Sequence, residues 1–155
     1  MTGRVRAMRN VAQAAVPLLA VLMTGCGRMA DGETLDVRSR ESQQAIGLTL
    51  PPKAKVTFVH RMRGIDDAAQ IIAVMPIADW QALEHRLTTT IPHAAPPTYE
   101  DASRLGADHD AWTPGQQPHL TARQVPWRGG VEWMTIGSGP AGPGMVRVFI
   151  FWFQT

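Results

Sequence analysis

Apolar and polar positions alternate most clearly along Lys55–Arg63 (KVTFVHRMR), with Val56, Phe58, His60 and Met62 on one side and Lys55, Thr57, Val59, Arg61 and Arg63 on the other. A period of two predicts a half-buried β-strand with His60 on its apolar face. Gly64-Ile65-Asp66-Asp67 has turn composition, and Ala69–Met75 (AQIIAVM) is apolar on both faces, so the two runs predict an antiparallel hairpin. From Pro76 to Thr88 the period changes. Ile77, Trp80, Leu83 and Leu87 recur at helical spacing and predict one amphipathic helix that must lie on a sheet. The strand pattern returns in Gly130–Ile136, followed by a glycine-rich turn at 137–144 and Met145–Phe153 (MVRVFIFWF). In this last strand Val146, Val148, Ile150 and Trp152 face one way and Phe149, Phe151 and Phe153 the other, with Arg147 alone polar. Such a strand belongs in the middle of a sheet, covered on both sides. The helix can cover one side. Either the proline-rich segment before it or a partner protein must cover the other.

The expected fold is therefore α+β: a small antiparallel sheet of two β-hairpins with one packed helix, in the order β-β-α-long loop-β-β, within a single domain at 50–155. The loop at 89–130 holds six of the 12 prolines, four glycines and few periodic segments. A structureless connection of that length is uncommon inside a compact domain. It is expected either to contain a short element near Tyr99–Leu105 or to wrap the sheet, with Trp112 and Trp127 as buried anchors. Residues 27–49 are polar and aperiodic. Together with Cys26 they read as a flexible tether, part of whose Ser42–Leu50 stretch packs on the domain.

Residues 1–10 are basic through Arg4, Arg6 and Arg9 and contain no acid, while 11–23 are weakly polar to apolar. These are the n-region and h-region of a secretory signal peptide at 1–25, with Met8 as a second possible start. No later run approaches the ~20 apolar residues a membrane span requires. The segment ends in Leu22-Met23-Thr24-Gly25-Cys26, which resembles the lipobox of bacterial lipoproteins. The resemblance implies cleavage between Gly25 and Cys26, acyl chains on Cys26, and a membrane partner held through that anchor. Gly27 in place of Asp after the cysteine implies the outer membrane facing the periplasm in a two-membrane cell, and otherwise the outer face of the cytoplasmic membrane. Cys26 is the sole cysteine, so no internal disulfide exists and lipidation accounts for the lone thiol. Two or three chains at ~0.8 kcal/mol per buried CH₂ anchor durably. Leu50-Pro51-Pro52, the Gly64/Asp66-Asp67 turn, the Pro76-to-Leu87 helix, Trp112-Thr113-Pro114 and the final hairpin also resemble a loose class of small α+β bacterial lipoproteins, which brings no established activity with it.

Charge changes the picture only once it is located. The chain has 15 basic and 13 acidic residues and an isoelectric point near 9.2, which taken whole points to nucleic acid or anionic membranes. Removing the three arginines ahead of Cys26 leaves 12 basic and 13 acidic side chains, a net −1. No nucleic-acid partner is expected. Nor are a cofactor, a metal or a catalytic set, because HExxH, HxxEH and CxxC spacings, the GxSxG elbow and a phosphate loop are all missing. Six residues remain as candidates for binding or catalysis. His60 is a possible base or a rim histidine. Asp66 and Asp67 can share a cation, although adjacent turn carboxylates more often point apart. His109, within Asp108-His109-Asp110 and with His93 and His119 nearby in sequence, is metal-capable. Trp112 and Trp127 are sugar platforms or core. These features lead to a non-enzymatic envelope module, with an envelope protein as the partner expected on its second sheet face. The alternatives are an anchored hydrolase using His60, His109 or the Asp66/Asp67 pair, and an immunity-like inhibitor of a periplasmic toxin.

Overall fold

A computed structural model describes residues 27–64, 66–89, 98–99 and 102–154. The signal segment with Gly25 and Cys26, and also His93, lie outside them. The chain forms α1 (Gly27–Ile46), β1 (Lys55–Met62), β2 (Ala68–Pro76), α2 (Ile77–Thr89), β3 (Thr98–Tyr99), β4 (Thr121–Trp127), β5 (Glu132–Gly142) and β6 (Met145–Gln154). All strand pairs are antiparallel, in the order β1-β2-β6-β5-β4-β3. The class is α+β. Among the described residues the sheet has six strands where four were expected, and there are two α-helices rather than one.

The last strand is interior. β6 lies between β2 and β5, with Ile71 opposite Ile150 and Ile72 opposite Phe149. Its two faces enter separate cores. Val148, Ile150 and Trp152 join Ile71, Met75, Met134 and Ile136 beneath the helices, through Ile46, Trp80, Leu83 and Leu87. Phe149 and Ile72 lie on the opposite face beneath Leu105, Trp112 and Leu120. The cover of the second face is thus the chain's own proline-rich segment. Among its described residues the segment adds β3 and β4 to the sheet and forms short 3₁₀ turns at Ser103–Leu105, Pro114–Gln116 and Arg128–Gly130.

Two local features depart from the pattern read along the chain. A register shift between Val56 and Phe58 breaks the predicted alternation of β1, since an extra residue turns the following side chains to the other face. Val56 and Val59 therefore pack on the helix side and Phe58 on the opposite side, while His60 and Met62 are exposed. The second departure is the expected tether, which over 27–46 is helix α1. It presents no broad apolar stripe. Small polar Ser39 and Ser42 are buried together with Ile46, and so the segment carried no visible helical period.

The end of α1 explains how so polar a helix is held. Gly47 has φ +73°, Leu48 N–H donates to the Gln43 carbonyl at 2.9 Å and Gly47 N–H to that of Gln44 at 3.1 Å. This pairing satisfies carbonyls that a helix end otherwise leaves open. Gln43 Oε1 accepts from Leu50 N–H at 3.1 Å. From the sheet, Trp127 Nε1 donates to the Ile46 carbonyl at 2.7 Å and Arg128 Nη2 to that of Ala45 at 2.8 Å. Gly47→Ala is predicted to lower stability by about 1 kcal/mol or more, because it places a Cβ at positive φ and within 2.8 Å of Arg128 Nη2. Denaturant unfolding checks this, and an unchanged midpoint contradicts the capping geometry.

Candidate functional site

The segment over the second face is tied down by a tight turn. His109 N–H donates to the Trp112 carbonyl and Trp112 N–H to that of His109, each at 2.8 Å. Asp110 takes φ +46°, a left-handed conformation that Asp tolerates better than most residues. Asp108 Oδ1 accepts from Gly115 N–H at 2.8 Å. Trp112, fully buried, meets Phe149 edge-on at 5.5 Å and Phe58 at 6.3 Å, and its Nε1 donates to the Leu105 carbonyl at 3.1 Å. Its ring faces and its donor are used within the fold. Trp112 is the keystone of the cover and not a platform for sugars.

This turn carries His109 to His60 on β1, two candidates far apart in the sequence. Their rings meet edge to face at 6.0 Å, and Phe58 stacks with His60 at 6.5 Å. Asp110 Oδ2 lies 3.8 Å from His109 Nδ1. The cluster supplies two imidazoles and a carboxylate, but among the described residues no hydrogen bond joins the two rings and no group of three or more His, Cys, Asp or Glu is arranged to hold a metal. The other candidates lie elsewhere. Asp67 accepts from Arg61 Nη2 at 3.2 Å and from Gly64 N–H at 3.3 Å, and so serves as the staple of the β1–β2 turn. Asp66 is exposed in that turn. Trp127 caps α1. His119 borders a groove beside α2 together with Ser138 and Glu84.

Comparison with known proteins finds no matching family model, curated protein or solved structure.

One grouping was not legible in the sequence. A cleft of about 280 Å³ between α1 and β1 is lined by Arg38, Glu41, Ser42, Arg61 and Arg63, with Val59 and His60. Arg61 and Arg63, two positions apart at the end of a predicted strand, were a partial signal. Arg38 could only be placed once α1 was known to be a helix. The keystone role of Trp112 makes its own prediction. Trp112→Ala should cost about 3–5 kcal/mol by cavity formation, and Trp112→Phe less, since it keeps an aromatic contact while losing the Leu105 hydrogen bond. Equilibrium unfolding of both variants checks this, and equal, small losses contradict it.

Proposed function

We propose that the protein is a lipid-anchored component of the bacterial cell envelope, tied to the membrane through Cys26, whose α+β domain acts as a non-enzymatic binding or structural module. The observation that carries this reading is the Leu22-to-Cys26 lipobox followed directly by α1 from Gly27. Twenty helical residues at 1.5 Å each make a link of ~30 Å, so the domain leaves the anchor on a helix that docks against its own sheet. In a cell with two membranes the anchor sits in the outer membrane and faces the periplasm. The module reading draws support from the use of Trp112, Trp127 and Asp67 in holding the fold together. Beyond the proline-rich cover, exposed Met62 and half-buried Phe151 and Phe153 leave an apolar strip for an envelope protein.

The anchored-hydrolase reading keeps one observation in its favour, the 6.0 Å approach of His60 to His109. It requires that His60→Ala or His109→Ala abolish a hydrolytic activity on envelope material. The module reading predicts no such activity to lose.

The anchor has a direct test. Cys26→Ser should abolish metabolic palmitate labelling and leave the precursor uncleaved, whereas a variant that labels, migrates and partitions like the parent protein overturns the reading.

A further inference from the structure

The cleft between α1 and β1 is built differently from the remaining surface. Arg38 and Ser42, one helical turn apart, project from α1 toward Arg61 and Arg63 at the end of β1, and all four line the same space. Arg61 is positioned by Asp67 at 3.2 Å, while its Nε is buried without a hydrogen-bond partner. Arg38 and Arg63 are exposed and make no ion pair within 4.0 Å among the described residues. With Arg61 balanced by Asp67, the cleft presents two free guanidinium groups against the single carboxylate of Glu41. Guanidinium groups converging from a helix and a strand match the oxygen geometry of a phosphate group, which they bind through paired N–H donors. A volume of about 280 Å³ suits one such headgroup-sized ligand, at the lower limit of small-molecule pockets.

We propose that this cleft is a binding site for a phosphate-bearing anion, held by Arg38 and Arg63 over Arg61. The ligand chemistry is shared by a phospholipid headgroup and a free phosphate ester. The lipid source rests on the anchor reading, because Arg38 lies twelve residues after Cys26, ~18 Å along a helix, and so stays near the bilayer surface. The free-ester source does not need the anchor.

The test uses the full chain purified in zwitterionic detergent, titrated with inorganic phosphate, with glycerol 3-phosphate, and with micelles containing short-chain phosphatidylglycerol or phosphatidylcholine. Backbone amide shifts at residues 38–42 and 59–63 are the readout. Saturable shifts with the soluble phosphates assign a free ester, and shifts with phosphatidylglycerol alone assign a headgroup. In either case Arg38→Gln and Arg63→Gln, neither of which removes an ion pair of the fold, should each weaken binding roughly tenfold, as expected for loss of one charge-assisted hydrogen bond. Lys53→Gln removes the same charge outside the cleft and should leave affinity within about twofold. Absence of saturable shifts up to roughly 10 mM ligand, or equal weakening by Lys53→Gln, overturns the proposal. Palmitate labelling is independent of this outcome, so failure of the site and failure of the anchor are distinguishable.

Discussion

Everything in this domain answers to one constraint: β6 is apolar on both faces and must be kept from water on both. Val148, Phe149 and Ile150 are essentially inaccessible in succession, whereas a strand at a solvated sheet surface alternates. At ~25 cal/mol per Å² of apolar surface, leaving either face open exposes enough hydrocarbon to offset much of the stability of a domain this size. The chain therefore supplies two covers of different construction. Helices lie on one face. An irregular, proline-rich segment lies on the other.

Over the described residues 102–120 the irregular cover forms only 3₁₀ turns and one isolated bridge and is held by point attachments. Trp112 is one such attachment, through its aromatic contacts with Phe149 and Phe58 and its hydrogen bond to the Leu105 carbonyl. The helical cover is tied to the central strand by a polar chain. Arg128 bonds the end of α1 and also Glu132 at 3.4 Å, and the buried Glu132 accepts from Trp152 Nε1 on β6 at 2.8 Å. A buried carboxylate needs such partners to offset its desolvation. Its position on β5 makes the capping of α1 and the packing of β6 parts of one unit.

The legible elements were those whose burial follows a simple period. The interior place of β6 and the amphipathic α2, predicted from Pro76 and found from Ile77, were read in this way. The rest was obscured for particular reasons. α1 buries Ser39 and Ser42, so its inner face does not look apolar. The extra residue of β1 near Thr57 parts Val56 from Phe58 and His60, which stay on one face, where His60 is exposed. β4 contains Pro126, which argues against a strand, yet Pro126 lies in register opposite Trp133 of β5. Of the candidate residues, Trp112, Trp127 and Asp67 stood out because the fold depends on them. The arginine cleft was hidden because its members lie on two elements, one of which was not recognised as a helix.

The helical and the irregular cover fit together only if the domain is one cooperative body whose central strand is sealed by its own chain. Residue-resolved amide hydrogen exchange measures this directly. The backbone amides of Val148 and Ile150 should exchange only through global unfolding, with protection equal to the unfolding free energy from denaturant titration. Exchange of these amides through a local opening, as fast as that of the edge strand β1, would show that the proline-rich segment does not seal the sheet and would contradict the account.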